Sequence, residues 1–213
     1  MNHLKFLLFV LLLVCLTGTA SAVDIPAGYV SGYSFNSSGT TYVLTGNILA
    51  NTTAFSIEAN NVVFDGKGHT INCGLNGAGA GIKSNNFSNI TIKNVNVIQQ
   101  NSSTLSDGVR IQNTANVFIS NCSAASVAGS GIYINGYNAT VDRCKTSSVR
   151  GRSLCIIANN SRVTNCSAVS DSHYAICFTN ANNNEVSNCT GRTNTSHGID
   201  FAASNNNDVS NCA

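Results

Sequence analysis

Apolar residues in this chain recur at fixed offsets rather than in long runs. Six times an asparagine is followed three residues later by Ile or Val, and three further on by Cys or Val. The sets are Asn89/Ile92/Val95, Asn116/Ile119/Cys122, Asn138/Val141/Cys144, Asn160/Val163/Cys166, Asn183/Val186/Cys189 and Asn206/Val209/Cys212. Their closing residues lie 27, 22, 22, 23 and 23 positions apart, the contour of one coil of a parallel β-solenoid. A second inward pair precedes each asparagine: Ile82/Ser84, Val109/Ile111, Ile132/Ile134, Leu154/Ile156, Ile176/Phe178 and Ile199/Phe201. A spacing of two puts both members on one face of a strand.

Each coil is therefore expected to hold three strands, at 131–134, at 139–141 and from Cys144 onward in the fourth repeat. With the more divergent set Phe55, Ile57, Asn61 and Phe64, the count is about seven coils of 22–23 residues. At roughly 4.8 Å per coil they would form a rod about 30 Å tall. The residue before each third strand is Asn94, Asn121, Arg143, Asn165, Asn188 or Asn211. Asparagine is the non-glycine residue that best tolerates left-handed backbone angles. Stacked bends of that kind would align their amides in buried, hydrogen-bonded ladders, with Arg143 marking a break and a local bulge. The less periodic residues 23–54 are expected to cap the first coil, leaving 55–213 as repeats. The chain stops at Ala213 just after the Cys212 strand begins, so the C-terminal end is expected to be uncapped, within a longer protein or docked on another subunit.

Residues 1–22 have the form of a secretory signal: Lys5, an apolar run at 6–16, then Ala20-Ser21-Ala22. Cleavage before Val23 leaves 191 residues, and no later segment has the roughly 20 apolar residues of a membrane span. An exported product, secreted or at the cell surface and periplasmic if the host has an outer membrane, is expected. Only 9% of residues are charged and the net charge is +2, which provides no basic stripe for nucleic acid. Thirty-two asparagines against a single proline, Pro26, suit a fold with many tight turns and no backbone donors to spare.

The segment from Tyr42 to Ile48, with Asn61-Val62-Val63-Phe64-Asp65-Gly66-Lys67-Gly68-His69-Thr70-Ile71, resembles the opening of NosD-like and other CASH-type (carbohydrate-binding and sugar hydrolase) domains. These belong to the right-handed parallel β-helix superfamily, and the resemblance spans about residues 40–213. It implies that fold, with a site on the face of the first strands. The polar residues there are Asp107, Arg110, Tyr133, Arg152, Asp171, His173, Tyr174, Arg192, His197 and Asp200. Ser106-Asp107-Gly108 and Ser196-His197-Gly198 are similar to the Asn-Thr-Asp and Gly-His-Gly motifs of polygalacturonases. They stand four coils apart, roughly 19 Å at strand spacing, whereas glycoside hydrolysis needs two carboxyl groups within about 5–9.5 Å.

A lyase would need clustered acids for Ca²⁺ and a base. Asp171 with His173 and Tyr174 is the most enzyme-like local group. Copper, which the NosD likeness raises, favours imidazole and thioether ligands. The sole methionine is Met1 and His69, His173 and His197 lie on different coils, so no metal and no cofactor is expected.

Eight cysteines follow the signal, five of them (Cys122, Cys144, Cys166, Cys189 and Cys212) in one inward stack as small apolar filling. Cys155 and Cys177, at equivalent outward positions, form the candidate disulfide. Of eleven Asn-x-Ser/Thr sites, Asn36, Asn51, Asn101 and Asn194 stand clear of the ladders and are the better glycan acceptors. The function expected is a noncatalytic surface module presenting Arg110, Tyr133, Arg152, Tyr174, Arg192 and Asp200 to polysaccharide, glycan or a cell-envelope protein. The alternatives are a pectinase-like lyase or hydrolase with an incomplete site, or a structural spacer of the envelope.

Overall fold

The computed structural model describes residues 22–102 and 106–213; the segment expected to be a signal, save Ala22, lies outside them. Among the described residues every regular element is a strand, and every strand pairing is parallel. Three stacks run along one axis. The first contains Tyr33–Phe35, Phe55–Ile57, Ile82–Asn85, the opening halves of Val109–Ser120 and Ile132–Asp142, then Leu154–Asn159, Ile176–Thr179 and Ile199–Ala202. The second runs from Ala22–Ile25 through Thr41–Leu44, Val63–Asp65 and Ile90–Lys93 to Asp208–Ser210. The third is an eight-stranded sheet from Gly28–Tyr29 to Thr190–Thr193.

The solenoid thus has about eight turns, not seven. Residues 23–54, expected as a cap, place strands in all three stacks: Val23 pairs with Tyr42, Tyr29 with Leu49, and Tyr33 with Phe55. Their inward residues mix Phe35, Tyr42, Ala50 and Ala54 with Ile25, Leu44 and Ile48, all buried, and the Asn-x-x-Ile pattern that exposes the later coils is missing.

Corners are set by left-handed residues. Fifteen of the eighteen non-glycine residues with positive φ are asparagines. All six positions expected before the third strand are among them, Arg143 included, at φ 51–55°. The asparagines opening each repeat share that conformation, from Asn61 at 58° to Asn206 at 54°, so each coil turns twice on the same chemistry. The ladders form: Asn89 Nδ2 donates to Asn61 Oδ1 (2.8 Å), Asn116 to Asn89 (2.8 Å), Asn138 to Asn116 (2.6 Å) and Asn121 to Asn94 (2.8 Å). They run along exposed edges rather than buried ones, because a left-handed corner points its side chain outward.

Nor does Arg143 cause a bulge. Its amide bonds Thr164 in register and Asp142 substitutes in the ladder, accepting from Asn165 Nδ2 at 2.9 Å. The register irregularity falls instead between Gln112 and Thr114.

The interior holds Ile, Val, Leu and Phe columns that are fully buried. The inward thiols do more than fill it. From Cys122 to Cys212 each donates to the carbonyl two residues earlier, as Cys166 Sγ does to Thr164 at 3.1 Å, and Cys166, Cys189 and Cys212 each accept the amide of the preceding coil's cysteine at 3.4 Å. A neighbouring thiol and burial hold Cys144 and Cys166 protonated, pushed up to about 12.

Candidate functional site

The outward residues of the first stack form one column in register: Ser56, Lys83, Arg110, Tyr133, Cys155, Cys177 and Asp200. A second column, from the turns that enter those strands, holds Asp107, Ser130, Arg152, Tyr174 and His197, linked coil to coil by backbone bonds such as Ser153 to Tyr174 and Ala175 to His197. Between them lies a recess of about 330 Å³ lined by Asp107, Arg110, Tyr133, Arg152 and His173 with Gly129, Ser130 and Gly151. It adjoins, through Arg110, a wider cleft of about 760 Å³ over Ser56, Glu58, Lys83, Asn85, Phe87 and Gln112.

The turns are fixed from inside by a hydroxyl ladder that the sequence reading passed over. Ser126 Oγ donates to the Ser106 carbonyl (2.6 Å), Ser148 to Gly129 (2.7 Å), Ser170 to Gly151 (2.8 Å) and Thr193 to His173 (2.8 Å). Each acceptor immediately precedes a member of the Asp107–Ser130–Arg152–Tyr174 column. The serines also accept from the turn amides of Gly129, Gly151 and His173 at 2.8–3.0 Å. The signal was legible, since Ser126, Ser148, Ser170 and Thr193 recur every 22 or 23 residues. Gly151 must be glycine, because a Cβ there would strike the Gly129 carbonyl.

Asp107 is buried and fully engaged. It accepts from the Ser130 amide at 2.5 Å and from Arg110 Nη1 at 2.7 Å. Burial pushes its carboxyl up, against the Ser130 amide and the Arg110 charge. Arg110 is in turn held by Gln112 (3.1 Å) and lies 4.9 Å over the Tyr133 ring. Arg152 Nη1 points to Cys155 Sγ at 3.8 Å, while its Nε is buried with no partner.

Burial and the Arg152 charge lower the imidazole of His173, whose Nδ1 accepts the Tyr174 amide. The Tyr174 ring stacks on His197 at 5.8 Å, and His197 Nδ1 stands 3.7 Å from Asp200 Oδ1. The other carboxylate oxygen of Asp200 is buried and unpartnered.

Eight of the ten polar residues expected on this face are therefore together. Arg192 is not: it lies on the third sheet opposite Val169 and is exposed. Asp171 is also outside the recess, at an exposed turn with its amide on Ser148. Cys155 and Cys177 are register partners and hydrogen-bonded thiols, but buried rather than exposed, because the turns carrying Arg152 and Tyr174 cover them. A proton donated by Cys177, with the Arg152 charge, holds the Cys155 thiol below its ordinary value, while giving that bond and burial push Cys177 up. Asn36 and Asn194 are exposed, whereas Asn51 and Asn101 are half-buried. Among the described residues, no three His, Cys, Asp or Glu side chains converge on a point that could hold a metal ion, and no helix is long and apolar enough to cross a membrane.

A family model described as a right handed beta helix region matches residues 107–213, half of the chain and all of the recess. The chain belongs to that family. No curated protein matches this β-helix. Solved structures similar to it include ORF18 of Geobacillus virus E2, at 13% identity and a TM-score of 0.40 over 92% of this chain and 55% of that one. The A-module of the Azotobacter vinelandii mannuronan C-5 epimerase AlgE4 gives 11% identity and a TM-score of 0.31 over 90% and 87% of the two chains. The Dettilon tailspike protein gives 10% and 0.31 over 85% and 62%. The β-helix here spans about half the length of the Geobacillus virus protein.

Proposed function

We propose that this β-helix is an exported, noncatalytic module of a secreted or cell-surface protein, which binds a glycan along the face of its first strands. The observation that carries the reading is the recess itself, where Arg110, Tyr133, Arg152 and His173 converge on turns fixed by the hydroxyl ladder. A concave, rigid, partly apolar surface with a few placed polar groups is the usual form of a small-ligand or sugar site.

The same geometry argues against turnover of a glycosidic bond. Asp107 has both oxygens occupied. Asp200, another carboxylate of the face, stands four register steps along from Arg110, roughly 19 Å at strand spacing. An acid and its partner must lie within about 5–9.5 Å across one bond.

The test is a panel of immobilised plant, algal and bacterial polysaccharides, measured for binding and for released reducing ends or unsaturated products. Retention without product supports the module. Product release, or retention unchanged when Tyr133 and His173 are both replaced by alanine, would overturn it.

A further inference from the structure

Of all described buried side-chain nitrogen and oxygen atoms, two have no hydrogen-bond partner: Arg152 Nε and Asp200 Oδ2. Both belong to one face. A buried polar atom left unpaired costs about 1–3 kcal/mol, so two such atoms on one surface, in a fold that satisfies the rest, mark groups kept for something outside the chain. Their chemistry is complementary. Arg152 offers only a donor, carries a fixed positive charge, and has no carboxylate within ion-pairing reach among the described residues. An ionised Asp200 offers only acceptors.

The spacing between them is set by the coils. Arg152, Tyr174 and His197 occupy one column on successive turns, and Asp200 is two register steps beyond Cys155, the outward residue of the Arg152 coil. Two strand spacings amount to about 10 Å along the axis. Between the two orphans the Tyr174 and His197 rings stack at 5.8 Å with planes 19° apart, an apolar step against which the carbon face of a sugar ring can lie.

We propose that this stretch is a subsite for an acidic oligosaccharide, with an anionic group of one residue on Arg152 and hydroxyls of a neighbouring residue donating to Asp200. The proposal rests on the glycan-binding reading and narrows it to sugar acids. An acidic peptide would satisfy Arg152, but its side chains do not offer the paired hydroxyls that Asp200 and the flat aromatic step favour.

The full chain is titrated calorimetrically with four probes: uronate tetramers, their methyl esters, a sulfated oligosaccharide without carboxylates, and oligoglutamate. The uronate is expected to bind at least about tenfold tighter than its ester, the scale of a hydrogen bond to a charged group. Arg152→Gln should abolish that preference, and Asp200→Asn should weaken acid and ester alike.

A sulfated probe that binds with the same Arg152 dependence keeps the anion subsite and names sulfate as its source. Arg152→Lys, which retains the charge without Nε, serves where the glutamine variant loses its circular-dichroism spectrum, and should lower uronate affinity severalfold. Equal binding of acid and ester, a preference that survives Arg152→Gln, or equal affinity for oligoglutamate overturns the subsite. Binding of neutral glycans alone would overturn the subsite and leave the glycan module standing, whereas silence of every glycan removes both.

Discussion

The first turns of the rod and the later ones solve the same packing problem in opposite ways. At the N-terminal end a few large side chains fill the interior. Phe35 stacks on Tyr42 at 4.2 Å and on Phe55 at 5.1 Å, and Phe55 meets Phe64 at 5.4 Å. From Cys122 onward the interior is mostly small, repeated groups, with thiols that close corner bonds, Val and Ile in register and asparagines outside that turn the chain, and a single late aromatic pair, Phe178 on Phe201 at 4.9 Å. The early turns depend on individual contacts. The later turns depend on repetition, where each coil contributes little and interacts only with its neighbours.

That contrast can be broken most sharply at Phe55. Phe55→Ala should cost about 3–5 kcal/mol and separate the unfolding of the early turns from that of the later ones in a denaturant titration; a loss no greater than in the thiol column would erase the distinction. Cys166→Ala, which removes the acceptor of the Cys144 amide, should cost about 2 kcal/mol. Asn121→Ala keeps the left-handed corner without its amide and should cost about 1 kcal/mol, most of which Asn121→Gly restores.

The smallest effect is on pH dependence. Burial alone would raise the Asp65 carboxyl, but Asn94 and Lys67 hold it below the usual range, and Asn165 does the same for Asp142. A lowered folded value means stability that is complete above about pH 4 and lost as pH falls through the folded values. The thermal midpoint should therefore drop as pH falls below about 4, and Asp142→Asn should reduce that drop.

The regular turns were legible because their signals are local. The residue before each third strand adopts the left-handed angles its amide permits, Arg143 included. The columns at Arg110, Tyr133 and Asp200 follow from counting outward positions between paired apolar residues. The N-terminal turns were not legible, because Phe35 and Tyr42 each fill the space that several small residues fill later, which leaves no period to count. Arg192 was misplaced for a related reason. It follows an inward glycine, Gly191, at a position where the other third strands carry Ile71, Val97, Ala124, Thr146 and Ala168, so no apolar marker sets its face. The burial of Cys155 and Cys177 depends on the turns that carry Arg152 and Tyr174 folding back over them, a tertiary contact that the strand period does not encode.

The hydroxyl ladder of Ser126, Ser148, Ser170 and Thr193 holds the turns entering Asp107, Ser130, Arg152 and Tyr174 by the same bond. A whole coil copied into or out of this stretch would meet ready-made neighbours on both sides. Duplication of one repeat between Arg152 and Asp200 would then lengthen the gap between two recognition groups by one strand width while altering neither. The rod is a ruler, and its graduations are heritable.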